Sequence, residues 1–217
     1  MCRPVPRLRI SEIFHSLQGE STRVGLPTVF IRLTGCPLRC VWCDTEYAFS
    51  GGKMRELDTI LVEVARHGTP YVCVTGGEPL AQKPCLELLR ALCDAGYSVS
   101  LETSGALDVS EVDARVSKIM DLKAPGSGEV AKNLLGNLAH LGPHDEIKIV
   151  LTDEADYKWA CEMLQQHQIT QRCTVLLSPV QGKLDPQSLA AWVLRDHLQV
   201  RMQLQLHRII WGNKTGV

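Results

Sequence analysis

With 217 residues, 45% of them hydrophobic and 22% charged, the chain is long enough to close a sizeable core and too apolar for a disordered polymer. Lysine and arginine number 23 against 24 aspartates and glutamates, a formal charge of -1, which leaves no sequence-wide basic field for nucleic acid. Nine cysteines are an odd count and fall short of the roughly 8–10% of a disulfide scaffold, so the thiols read as free or metal-bound in a reducing compartment.

The first ten residues hold three arginines and two prolines instead of an apolar signal core. No later stretch approaches the roughly 18 apolar residues of a membrane span, so a cytoplasmic protein with no membrane partner is expected. Residues 1–10 read as an N-terminal tail, or as an extra edge strand over 7–14. Short β-branched runs then predict strands at 28–33, 71–75, 98–103, 118–122, 146–151, 174–178 and 201–206. Helical patterns separate them. Leu57, Ile60, Leu61 and Val64 make one apolar stripe, ended by Gly68; Cys85, Leu88, Leu89 and Leu92 make the next, between Pro84 and Gly96. Further helices are expected near 153–167 and 186–196. This alternation predicts one α/β domain over residues 1–217 with a mostly parallel sheet, either curled into a partial or complete barrel or laid out as an open doubly wound sheet.

In a barrel of this kind chemistry gathers at the carboxyl ends of the strands. Four such ends carry suspicious residues: Gly76-Gly77-Glu78, Glu102-Thr103-Ser104-Gly105, Asp121-Leu122-Lys123 and Ser178-Pro179. The sharpest signal is Cys36-Pro-Leu-Arg-Cys40-Val-Trp-Cys43, three thiols in a loop directly after a strand. A structural zinc ion and a chance cluster of buried thiols compete with a polynuclear centre. Zinc wants four protein ligands, usually in two separated pairs, and no second pair follows. An iron-sulfur cluster held by three cysteines leaves one iron without a protein ligand, a position open for chemistry. The glycines at 76 and 77 would let backbone approach a ligand closely, and the Glu78 carboxylate could accept from an ammonium group; a plain turn before a helix would use the same residues.

The cysteine spacing, with an aromatic residue just before the last thiol, resembles the radical S-adenosylmethionine (radical SAM) superfamily. Further elements occur in order: Glu12-Ile-Phe-His-Ser-Leu-Gln-Gly-Glu20, Val29-Phe-Ile-Arg-Leu-Thr-Gly-Cys36, Trp42-Cys-Asp-Thr45, Val74-Thr-Gly-Gly-Glu-Pro79 and Gln203-Leu-Gln-Leu-His207. Together they resemble the 7-carboxy-7-deazaguanine synthase family over almost the whole chain. The resemblance implies an incomplete (β/α) barrel of the radical SAM type, usually a homodimer. It implies a 4Fe–4S cluster on Cys36, Cys40 and Cys43, S-adenosylmethionine, Mg2+ and a flavodoxin-type electron donor. The implied reaction is a radical ring contraction of a small-molecule pterin, 6-carboxy-5,6,7,8-tetrahydropterin, to 7-carboxy-7-deazaguanine with loss of ammonia, a lyase step toward queuosine.

Residue by residue, the resemblance implies that Leu17, Gln18, Gly19 and Glu20 meet the pterin, with Arg32, Thr75 and His207 as further substrate contacts, Arg32 at the substrate carboxylate. Trp42, Cys43 and Asp44, together with Gly76, Gly77, Glu78, Glu102 and Ser104, would meet S-adenosylmethionine. The strand ends at Asp121, Leu122, Lys123 and Ser178 are further cofactor candidates, although some relatives read Ser-Pro-Lys at 121–123. Thr45 would ligate magnesium. Some relatives end soon after the His207 element and place a terminal carboxylate in the pterin pocket; here 209–217 runs on as a C-terminal tail. A glycyl-radical activase shares the cysteine motif, and a non-enzymatic metal-cluster scaffold is the rival of another class. Cys73, Cys85, Cys93, Cys161 and Cys173 read as packing thiols and Cys2 as tail. His15, His67, His140, His144 and His167 form no ligand pair, and Trp159 and Trp192 fit apolar helix faces.

Overall fold

A computed structural model describes residues 6–217, so Cys2 lies outside the described residues. The chain opens with an antiparallel hairpin of β1 (Arg7–Leu17) and β2 (Pro27–Leu33), which sets Glu12 opposite Arg32. The expectation of an edge strand over 7–14 is corrected: the strand is longer, and β3 (Lys53–Glu56) pairs antiparallel along its outer side, so β3 is the edge. The polar, exposed residues of β3 gave no alternating apolar signal, which is why the sequence reading missed it.

The remaining strands add in parallel: β4 (Tyr71–Gly76), β5 (Ser98–Thr103), β6 (Ser117–Asp121), β7 (Glu146–Leu151), β8 (Thr174–Pro179) and β9 (Arg201–Met202). The nine-stranded order is β3-β1-β2-β4-β5-β6-β7-β8-β9, with β3 and β9 at opposite ends, so the sheet is an incomplete barrel that does not close on itself. Helices α1 (Leu57–Ala65), α2 (Cys85–Asp94), α3 (Glu154–Gln166) and α4 (Pro186–Arg195) lie in the crossovers. Gly68 and Gly96, with φ of +65° and +87°, turn the chain after α1 and α2, while the Asp153 and Asp185 carboxylates cap α3 and α4. The crossovers at 104–116 and 122–145 carry turns and short 3-10 segments instead of α-helices.

Alternation along each strand separates core from cavity. Val29, Ile31 and Leu33 of β2, Val72 and Val74 of β4, and Val99 and Leu101 of β5 pack with α1 and α2 in one core. Met120, Ile147, Ile149, Val175 and Leu177 do the same with α3 and α4 in a second. Leu88, Leu89 and Leu92 are fully buried, each contributing about 1.5–3 kcal/mol by leaving water. Cys73, Cys85 and Cys173 are buried, Cys93 and Cys161 pack against the two cores, and Trp159 and Trp192 lie against the second, as expected of packing residues.

The expected strand over 201–206 is cut short. After Met202 the Gln203 N–H still donates to the Leu177 carbonyl, but the Leu206 N–H donates to the Gly19 carbonyl, and α5 (Leu206–Trp211) begins. The segment expected to be a tail from 209 continues in that helix, and residues 212–217 line the central cavity. No helix among the described residues is long and apolar enough to cross a membrane.

Candidate active site

The residues left over by the two cores converge on a cavity of about 710 Å³ at the carboxyl ends of the strands. The parallel register makes this possible. Glu12 pairs with Arg32 and Arg32 with Thr75, and the Thr75 hydroxyl donates to Glu102 Oε2 at 2.9 Å, so one polar row crosses β1, β2, β4 and β5. Gln18 donates its amide to the other oxygen of Glu102 at 3.3 Å. Farther along, Asp121 pairs with Lys148 across β6 and β7.

At one end of the cavity lie Cys36, Cys40 and Cys43, all free and half-buried. Among the described residues no three His, Cys, Asp or Glu side chains converge on a single metal ion, so the thiols do not surround a mononuclear site. They fit a larger, multi-iron group: three soft donors on one short loop at the wall of a cavity, with open space beside them. Burial pushes the Cys36 and Cys40 thiols up, and the Lys123 ammonium pulls each back. Lys123 is itself held charged against burial by Asp121, 3.0 Å away.

The loop is positioned by backbone. Gly77 N–H donates to the Leu33 carbonyl at 3.1 Å and Glu78 N–H to the Gly35 carbonyl at 2.7 Å, so the end of β4 is clamped on the segment leading to Cys36. A Cβ on Gly77 would sit 2.2 Å from the Gly35 carbonyl oxygen, and one on Gly76 would sit 2.5 Å from that of Leu33. Close approach of chain to chain therefore already demands both glycines, whatever ligand lies above them.

Several expected cofactor residues are placed differently from the sequence reading. The Glu78 carboxylate points inward, fully buried, and accepts from the Thr103 hydroxyl, the Ser104 N–H and hydroxyl, and the Leu80 N–H; it does not line the cavity. Its lone pairs are engaged in orienting the β5 end, which leaves Ser104 on the cavity wall. Leu122 is a core side chain, and Ser178 is buried off the cavity, its hydroxyl without a partner among the described residues. Trp42, Asp44, Thr45, Gly76, Gly77, Glu102, Asp121 and Lys123 do line it. Thr45 Oγ1 is 3.8 Å from Cys43 Sγ.

The opposite end gathers the expected substrate residues. Gly19 has no room for a side chain because His207 lies against it, with Nδ1 2.2 Å from where a Cβ would be. Glu20 is buried, accepting from Lys148 and, at 2.7 Å, from Gln205. Burial opposes its ionisation, but Lys148, Gln205 and His207 outweigh it and hold the carboxyl at about 2. Arg32 donates Nε to Glu12 Oε1 at 2.8 Å, and its guanidinium carbon lies 5.8 Å from the ring centres of both Phe14 and Tyr47. Tyr47 donates to the same Glu12 oxygen at 2.8 Å, and burial, opposed by Arg32 and reinforced by Glu12, pushes its phenol up to about 12. The two terminal nitrogens of Arg32 have no protein partner among the described residues and lie at the cavity.

The radical SAM superfamily profile matches residues 30–182. A 7-carboxy-7-deazaguanine synthase of Chlorobaculum tepidum is 49% identical, covering 94% of each chain, and one of Koribacter versatilis is 44% identical over 96% of this chain and 99% of its own. The chain belongs to the 7-carboxy-7-deazaguanine synthases of the radical SAM superfamily. The crystal structure of QueE from Escherichia coli superposes with a TM-score of 0.77 at 25% identity, covering 93% of this chain and 95% of that one. Membership brings a 4Fe–4S cluster and S-adenosylmethionine to a member of this family, and the open strand order agrees with an incomplete barrel. Glu12, Tyr47, Lys148 and Gln205 were missed as site residues by sequence reasoning. Lys148 had a readable signal: like Arg32 between Ile31 and Leu33, it is one charge between two buried aliphatic neighbours, Ile147 and Ile149, in a parallel strand.

Proposed function

We propose that this chain converts 6-carboxy-5,6,7,8-tetrahydropterin to 7-carboxy-7-deazaguanine with loss of ammonia, within a single radical SAM domain. The observation that carries this reading is one cavity joining three free thiols at one end to Gln18, Glu20, Arg32, Thr75 and His207 at the other. The glycyl-radical activase and the inert scaffold lose ground to relatives named synthases that match nearly end to end.

When loaded, the cluster and S-adenosylmethionine supply a 5′-deoxyadenosyl radical. Cys36, Cys40 and Cys43 are the cluster ligands in this reading. Trp42, Cys43, Asp44, Gly76, Gly77, Ser104 and Lys123 hold the cofactor, with Glu102, on the row between the two ends, shared by both halves. The open fork of Arg32 takes the substrate carboxylate, because two parallel N–H donors match its two oxygens. Glu20 and the backbone of Leu17 to Gly19 take the ring. Asp44, 3.9 Å from His207 and 3.6 Å from Arg208, steadies the C-terminal wall. The family resemblance adds a homodimer and a flavodoxin-type electron donor to this reading.

Reconstituted protein given dithionite, S-adenosylmethionine and the carboxypterin should yield the deazaguanine by mass spectrometry; 5′-deoxyadenosine without it would refute the substrate assignment. Thr45 is the proposed magnesium ligand, because a hard cation accepts a hydroxyl oxygen beside a substrate carboxylate and keeps water for its other positions. Thr45→Ala should lower turnover and flatten its dependence on added magnesium while the iron-sulfur spectrum is unchanged. An undiminished magnesium response in this variant would remove Thr45 from that role.

A further inference from the structure

Four charges alternate along the cavity floor without interruption: Glu20, Lys148, Asp121 and Lys123. Lys148 Nζ donates to Glu20 Oε2 and lies 3.6 Å from Asp121 Oδ1, while Asp121 Oδ2 meets Lys123 Nζ at 3.0 Å. Among the described residues Asp121 Oδ1 has no hydrogen bond of its own, and the Lys148 ammonium lies 3.6 Å from it. Such a buried lysine is costly to desolvate and persists only with partners. Its geometry is fixed from two sides, by the register of β6 against β7 and by the turn after β1, where Thr22 is bound to Glu146 two residues before Lys148.

We propose that Lys148 is a positioning residue for substrate recognition: it holds the Glu20 carboxylate ionised and aimed so that the two Glu20 oxygens accept the N–H edge of an amino-pyrimidine ring. The inference rests on the pterin reading given above. Gln205 fixes one oxygen of Glu20 and Lys148 the other, so the carboxylate plane is set from both ends before any ligand arrives. Each oxygen keeps a lone pair, and two lone pairs side by side match a ring N–H beside an exocyclic amino group. Without Lys148, Glu20 would be a buried carboxyl with only Gln205 and His207 to offset its burial, which favours proton uptake and loss of one acceptor.

The test uses reconstituted holoenzyme and reads KM for the carboxypterin separately from S-adenosylmethionine affinity. Lys148→Met should raise KM by about tenfold or more, the loss of one charge-assisted contact, with the iron-sulfur spectrum and S-adenosylmethionine affinity kept. Lys148→Arg should recover much of that loss. An unchanged KM in folded Lys148→Met, or Lys148→Arg as impaired as Lys148→Met, would overturn the proposal. If Lys148→Met does not fold, Glu20→Gln with Lys148→Met removes both members of the buried pair while Lys123 remains on Asp121, and completes the comparison. Because Lys148 acts through Glu20, the double variant should bind pterin no worse than Glu20→Gln alone, and a further rise in KM would overturn the role. Parent enzyme that does not turn over the pterin at all would refute the substrate reading and this inference with it, whereas pterin turnover in the parent with an unchanged KM in Lys148→Met would refute this inference alone.

Discussion

Cys40→Ala should abolish product formation and strip the protein of its iron-sulfur absorbance, the largest effect expected of any single substitution here. Three thiolates are the fewest that hold a four-iron cluster with one iron open, so losing one leaves a group that the two remaining ligands do not retain. Among the described residues the loop has no substitute. Cys73 is fully buried in β4, where burial pushes its thiol well up, and Cys85 is fully buried in the first turn of α2. Cys73→Ala should therefore leave the cluster spectrum intact at some cost in packing, and anaerobic reconstitution followed by absorbance and turnover compares the two. A full spectrum with normal turnover in Cys40→Ala would refute the ligand assignment.

Arg32→Ala should be nearly as damaging, in a different coin: radical formation persists while coupling fails. Hydrogen transfer needs reacting atoms held a few ångströms apart and aligned. Glu12 takes Nε, and the Phe14 and Tyr47 rings flank the guanidinium, so side chain and charge are set before substrate arrives and only the terminal fork remains to act. Charged hydrogen bonds of this kind contribute about 1.5–3 kcal/mol each, so losing both prongs of the fork corresponds to a pterin affinity loss on the order of a hundredfold to ten-thousandfold. Lysine keeps the charge and loses the fork, which places Arg32→Lys between parent and alanine. Product formed per 5′-deoxyadenosine should fall in both variants. An unchanged ratio with unchanged pterin affinity would return Arg32 to the role of a strand residue paired with Glu12.

Those two ends of the cavity differ in how plainly the sequence announces them. The thiol loop is legible because its chemistry is local: three cysteines within eight positions need no tertiary information. Most parallel strands are legible for a similar reason, since both faces are covered and their apolar runs stand out. β3 escapes because its pairing with β1 comes from register and not from apolar pattern, and the strand expected to reach 206 stops at Met202 because Gly19 captures the backbone of Leu206. Glu78 shows the other kind of gap. A carboxylate after two glycines reads as a ligand group, but whether it faces the cavity or turns in to Thr103 and Ser104 depends on residues 25 positions away. Lys148 gains its meaning only from Glu20 and Asp121, which the fold alone brings to it.

The seam between the turn after β1 and the segment after β9 bears on when the site comes into being. Ser21 N–H meets Gln203 across 182 positions, Glu20 meets Gln205 across 185, and Gly19 is stopped by His207. While the protein is being synthesised, the hairpin, the thiol loop and most of the sheet emerge with their own partners beside them, but the substrate end has no wall until the residues beyond 200 are released. Contacts of such long separation form late, after the loop-closure entropy between them has been overcome. The thiol loop can thus take shape before the chamber that retains the pterin, so a folding chain gains its place for the cluster first and its place for the substrate only when residues 203–207 meet residues 19–21.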